Sequence, residues 1–238
     1  MVSHLKWPFR AGAYVAGGSR QPLADRSSRL FPGQRASGHD GRVTEEEAQL
    51  VAAVAAQRVT WGKERAPVMR HGRLFTPGTD AGGGEFPMIP AYACKNGYRK
   101  AVASGLLYAE GWVLRPPRRI LVHAGWCLDG QAVVDPGFTE PAAAYFGVAL
   151  DPDYMRRVQE SDHDDDGNDI FMGVFHPYRE RYGPPLDPIS DIAGSLGRDI
   201  PASVRDWALT SEPRRVREEG APAWVLEELR RFSDTVAR

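Results

Sequence analysis

The chain of 238 residues holds two cysteines, Cys94 and Cys127, and the first is followed by His123 and Asp135. A thiol nucleophile needs a lowered pKa, a base within reach, and a third group that holds the base in one tautomer. Cys94 sits where a loop enters a helix, so the unpaired first-turn amides are expected to stabilise its thiolate and later an oxyanion. His123 falls on one predicted strand and Asp135 at the end of the next. The Asp129-Gly130 turn signal between them makes the two strands an antiparallel hairpin, across which side chains can meet. In this arrangement Cys94 attacks a carbonyl, His123 takes and returns the proton, and Asp135 orients the imidazole. Other readings of the same residues are structural. Cys94 can be a small core hydrophobe, His123 a donor to a core carbonyl, and Asp135-Pro136-Gly137 the start of a turn. A Cys94 to Cys127 disulfide competes too, although an intracellular setting makes a stable one uncommon; Cys127 otherwise reads as structural.

The elements that must position these groups are legible around them. Thr44 with Glu45, Glu46 and Glu47 forms a Thr-x-x-Glu capping box that opens a helix to about Arg58, with Leu50, Val51, Val54 and Ala55 as its apolar stripe. Residues 62–90, rich in Gly, Pro and Arg around Gly82-Gly83-Gly84, read as a long approach loop. A helix starts near Cys94 and ends at Gly105. Strands are predicted from Leu106 to Leu114, Ile120 to Leu128 and Gln131 to Asp135, and another from Ile170 to Phe175. Short helices follow Asp151-Pro152-Asp153, then run from Pro201 to Leu209 and from Pro222 to Val236. The expected organisation is a flexible basic extension over 1–42, an α+β core over 43–185, and a C-terminal helical appendage over 186–238.

Five fragments in this core, Cys94-Lys95-Asn96-Gly97, Tyr108-Ala109-Glu110-Gly111-Trp112, His123-Ala124-Gly125-Trp126, Val133-Val134-Asp135-Pro136 and Tyr145-Phe146-Gly147-Val148, resemble the transglutaminase-like, papain-like cysteine-enzyme superfamily, especially its small uncharacterised bacterial and phage members. The likeness covers about residues 91–150. It implies a papain-like (transglutaminase-like) core, with the nucleophile helix packed on a small antiparallel sheet and peripheral C-terminal helices. It matches Cys94 to the nucleophile, His123 to the base and Asp135 to the orienting acid. Asn96, Glu110 and Trp126 become candidates for substrate or oxyanion contacts. One departure stands out: Gly125 puts His123 three residues before Trp126 instead of two, which on a regular strand reverses their relative facing. A β-bulge at Gly125 is expected to restore it, and without one the triad is degraded.

Composition narrows the rest. Thirty basic against thirty-one acidic residues leave a net charge of −1, which excludes the footprint of a general nucleic-acid binder. Residues 1–42 carry seven basic against two acidic side chains, a local basic tail with no assigned function. No run of about eighteen apolar residues and no signal-peptide pattern occurs, so a cytoplasmic protein without membrane contact is expected, in the host cytoplasm if phage-encoded. Asp162, Asp164 and Asp166 before Gly167 resemble the start of a calcium loop, but Gly173 occupies the position that requires a bidentate acid, and a solvated acidic loop is expected. Gly82-Gly83-Gly84 lacks the Lys-Ser/Thr of a phosphate loop, and no Cys/His set has zinc spacing, so neither metal nor cofactor is expected. The expected function is a cysteine-dependent acyl hydrolase or transferase on a peptide, amide or ester; the alternative is a catalytically inactive papain-like binding or phage structural module.

Overall fold

The computed structural model describes residues 43–56, 65–78, 93–130, 132–138, 140–161, 171, 173–175, 196–211 and 221–236. The elements, in chain order, are α1 (Glu45–Ala56), α2 (Arg65–His71), β1 (Arg73–Pro77), α3 (Ala93–Ser104), β2 (Leu107–Arg115), β3 (Ile120–Asp129), β4 (Ala132–Val134), β5 (Ala144–Leu150), α4 (Pro152–Ser161), α5 (Ala202–Thr210) and α6 (Ala223–Val236). The basic N-terminal stretch, Gly82-Gly83-Gly84 and the acidic run Asp162–Asp169 lie outside the described residues.

The chain is α+β, with the helix that carries Cys94 packed on a small sheet. That sheet is not wholly the small antiparallel one expected: its five strands close into a barrel in the order β1-β4-β3-β2-β5, and one pair in it is parallel. The closure comes from two strands that the pattern reading did not count. β1 arises inside the stretch read as an approach loop, and pairs parallel with β4 and antiparallel with β5. β5 pairs antiparallel with β2 from Tyr108↔Leu150 to Leu114↔Ala144. Gly72 and Gly78 bracket a β1 of only five residues, too short for a period-two signal, and α2 just before it is equally brief. Closure gives every strand a neighbour on both sides, with β4 pairing only Cys127–Asp129 of β3. Conversely, Phe171 and Gly173–Phe175 form no strand; Val174 and Phe175 lie in a turn.

Aromatic side chains fill the barrel. Trp126 on β3 meets Phe75 on β1 and Tyr145 on β5 at ring-centroid distances of 5.9 and 5.3 Å, all fully buried. Gly147 leaves room for the indole, since a methyl group there would lie 2.6 Å from Trp126 Cη2. Helices cover the outside. α1 lies on β5 and β2 through Leu50, Val51, Val54 and Ala55, each large apolar side chain contributing about 1.5–3 kcal/mol by leaving water. Its capping box forms as expected: the Thr44 amide donates to Glu47 Oε2 at 2.8 Å, and the Glu47 amide donates to Thr44 Oγ1 at 3.2 Å. The C-terminal helices are tied to the same scaffold. Arg205 on α5 donates to the carbonyls of Met69 and Gly72 at the end of α2, at 2.9 and 2.7 Å, and Arg230 on α6 pairs with Glu45.

Candidate active site

α3 begins at Ala93, so Cys94 occupies its first turn as expected. Cys94, Gly97, Tyr98 and Ala101 are buried at the i, i+3, i+4, i+7 spacing that defines one helix face, and that face lies on β3. Close approach is possible because Gly97 has no side chain: a Cβ there would sit 2.5 Å from the carbonyl of Gly125. At the same crossing the Cys127 thiol donates to the Gly97 carbonyl at 3.2 Å. Both cysteines are free thiols, so the alternative of a mutual disulfide does not hold.

β2 and β3 run in continuous register from Leu107↔Leu128 to Arg115↔Ile120, with Glu110 opposite Gly125 and Trp112 opposite His123. The expected bulge at Gly125 is absent. On this regular strand His123 and Trp126 do face opposite sides, His123 toward α3 and Trp126 into the barrel, yet His123 is aimed at Cys94, with Nδ1 3.8 Å from Sγ. Gly125 serves a different purpose. A Cβ there would lie 2.6 and 2.8 Å from Cε2 and Cζ of Tyr108, so the missing side chain leaves space for a phenol that the site uses.

The carboxylate beside His123 comes from the strand before it, not the strand after. Glu110 Oε1 lies 3.0 Å from His123 Nε2. As a diagonal neighbour on the same face, Glu110 reaches the ring where the directly opposite residue, Trp112, packs against it at 5.0 Å between centroids. Three further donors hold Glu110: the Phe175 amide on Oε1 at 2.6 Å, and the Val174 amide and Tyr108 hydroxyl on Oε2, both at 2.7 Å. Gly173, at φ +117°, allows this segment to cross the site, since a Cβ there would sit 3.1 Å from Cys94 Sγ.

The assignment of Asp135 as the orienting acid is therefore corrected. Asp135 leaves the end of β4 buried and turned to the neighbouring loop, where it accepts from the Gly137 amide at 2.8 Å and the Tyr145 hydroxyl at 2.9 Å. Tyr145 in turn accepts from the Ala142 amide, so the three groups close the β4 to β5 connection. Burial pushes the Asp135 carboxyl up to about 6, against the pull of the Gly137 and Tyr145 hydrogen bonds. A folded pKa above the unfolded one means that this group's stabilisation is complete below about pH 3.9 and is lost as pH rises through about 6. Asp135→Asn keeps the shape and removes the ionisation. Its stability relative to wild type is expected to improve by up to about 3 kcal/mol between pH 4 and pH 7, read from urea unfolding at each pH. A pH-independent difference would contradict this placement.

The site's electrostatics oppose a preformed thiolate. Burial, then the charge of Glu110, push the Cys94 thiol well above its ordinary value, and the Tyr108 hydrogen bond only partly offsets them. The expected depression by the helix N-terminus does not prevail, so Cys94 rests as a neutral thiol. For Glu110, burial pulls upward, but the His123 contact and the Phe175 and Val174 amides together hold it below the usual carboxylate value. It remains an anion behind the imidazole. Cys127 is pushed up to about 12, chiefly by burial, and is chemically quiet.

Of the residues expected at the site, Cys94, His123 and Glu110 converge. Glu110 stands against His123 Nε2, the position expected for Asp135. Asn96 is buried on α3, and Trp126 is ruled out as a contact because it fills the barrel on the far face of β3. Tyr108, Trp112 and the Gly173–Phe175 segment complete the site without having been assigned roles. Cys94, Glu110 and His123 also form, among the described residues, a set of possible metal ligands within 4.8 Å of one another. The sulfur and the carboxylate approach opposite nitrogens of one imidazole, an arrangement that also fits proton relay. Among the described residues no helix is long and apolar enough to cross a membrane. No family model, curated protein or solved structure matches the chain.

Proposed function

We propose that the chain is a cysteine-dependent acyl hydrolase or transferase, of peptidase, amidase, deamidase or transglutaminase type, working through Cys94, His123 and Glu110. The observation that carries this reading is the imidazole of His123 set between the Cys94 sulfur and an anionic carboxylate. As Sγ attacks the carbonyl carbon, its proton passes to Nδ1, and the electron pair of the C=O bond moves to oxygen. Glu110 stabilises the imidazolium through Nε2. Collapse of the adduct expels an amine or alcohol, which leaves with the Nδ1 proton, and an acyl-thioester remains. Water or an amine, deprotonated by Nδ1, then releases the acyl group and restores the thiol.

A likeness to the transglutaminase-like, papain-like enzymes supports the reading through the order of a Cys-bearing helix followed by a His-bearing strand. The chain departs from that pattern in taking its acid from the strand before His123. A second reading, an inactive papain-like module, draws support from the burial of the thiol beneath Gly173. Alkylation separates the two. Iodoacetamide at neutral pH is expected to label Cys94 and spare Cys127 in the folded protein, and His123→Ala is expected to slow that labelling at least about tenfold. Labelling of neither cysteine, or an unchanged rate in the His123 variant, favours the inactive module.

A further inference from the structure

Tyr108 lies on the same face of β2 as Glu110, with its ring buried against Tyr98 and Phe171 at 5.8 and 6.2 Å between centroids. Its hydroxyl donates to Glu110 Oε2 at 2.7 Å, and the same carboxylate has an oxygen within 4.8 Å of the Cys94 sulfur. Cys94, His123 and Tyr108 are therefore gathered around one carboxylate. From Sγ one arm runs through His123 Nδ1 and Nε2 to Glu110 Oε1, and Tyr108 Oη meets the other oxygen of that carboxylate, Oε2. The empty space at Gly125 is what lets the phenol reach this point.

We propose that Tyr108 is the second donor to the nucleophile, its hydroxyl proton resting on Glu110 while the thiol is neutral and turning to Sγ as that proton leaves for His123. This rests on the reading of Cys94 as the nucleophile. No bond to Tyr108 breaks in the step: the phenol keeps its proton and changes only its acceptor. Burial, followed by the nearby Glu110 charge, raises its own ionisation well above the ordinary tyrosine value, so it acts as a donor and not as a base. The design answers a problem that the burial of Cys94 creates. A sulfur anion shut away from water needs donors from the protein, and hydrogen bonds to a charged group are worth more than neutral ones.

The test is the pH dependence of Cys94 alkylation by iodoacetamide, located by peptide mass spectrometry, in wild type and in the Tyr108→Phe and His123→Ala variants. Tyr108→Phe is expected to slow alkylation at pH 7 by about tenfold and to move the midpoint of its rise upward by about one unit, a tenfold loss being one pKa unit. Replacing Tyr108 with 3-fluorotyrosine, a stronger donor of nearly the same shape, keeps the fold and is expected to move the midpoint down. A merely structural role predicts a lowered melting temperature with neither shift. If His123→Ala slows alkylation but both changes at position 108 leave the midpoint where it was, the Tyr108 assignment is overturned and the nucleophile assignment survives. If wild-type Cys94 does not react, or reacts equally well without His123, both fall.

Discussion

Glu110→Gln is expected to lower turnover of any acyl substrate by about three to four orders of magnitude, the scale on which an amide replaces a triad carboxylate. The loss has two sources. A glutamine cannot carry the negative charge that stabilises the imidazolium of His123, so the proton leaving Cys94 has a poorer destination. It also cannot satisfy its neighbours. The carboxylate meets two donors on each oxygen, the Phe175 amide and His123 on Oε1, the Val174 amide and Tyr108 on Oε2. An amide has one acceptor oxygen, and its NH₂ would point at groups that are themselves donors. Each donor left without an acceptor costs about 1–3 kcal/mol, so a lower melting temperature is also expected. Kinetics measured below the melting transition of both proteins separate chemistry from unfolding. Asp135→Asn, assayed alongside, is expected to stay within about twofold of wild type. Should the two variants exchange these phenotypes, Asp135 and not Glu110 would be the acid.

The second large effect concerns a residue with no chemistry of its own. On helix propensity alone, Gly97→Ala inside α3 should stabilise the protein by about 1 kcal/mol. The crossing with β3 reverses that sign. The new methyl would meet the Gly125 carbonyl at 2.5 Å and the Trp126 amide nitrogen at 2.9 Å, and these are backbone atoms of a strand held in continuous register with β2. Nothing there can rotate away, so α3 must lift off the sheet. Overpacking of this kind costs about 1–3 kcal/mol and occasionally more, which outweighs the propensity gain. Because Cys94 lies one turn before Gly97 on the same face, lifting the helix also opens the 3.8 Å contact with His123. Chemical denaturation is expected to show net destabilisation, with a fall of at least about tenfold in Cys94 alkylation under native conditions. A stabilised variant with unchanged reactivity would show that the helix does not depend on this approach.

What could be read from residues alone followed the strength of local signals. The capping box at Thr44, the helix at Cys94, the Asp129-Gly130 hairpin and the strands on either side of it are all encoded within a few residues, and they stand where expected. Barrel closure is not local. It depends on β1, five residues between glycines, finding β4 and β5 far along the chain. The acid was missed for a related reason. Chain order places Asp135 after His123 on the next strand, but β3 has two neighbours, β4 reaches only Cys127–Asp129, and Glu110 lies on the other one. A signal was present: Glu110 is a lone carboxylate within the apolar run Leu107 to Leu114, and a buried charge demands partners. Gly125 was read through its effect on strand parity, whereas its actual constraint, the space for Tyr108 and for the approach of Gly97, is visible only once helix and sheet are packed together.

The most direct test of the account is to mix the folded protein with p-nitrophenyl acetate, quench in acid and weigh the intact chain. One acetyl group is expected on Cys94 of the wild type, formed in a burst of p-nitrophenolate and discharged by hydroxylamine, with none on Cys127. It should be absent from Cys94→Ala and strongly slowed in Glu110→Gln. A folded wild-type protein that gains no acetyl group on Cys94, or gains it equally fast in Glu110→Gln, would contradict the proposed nucleophile relay.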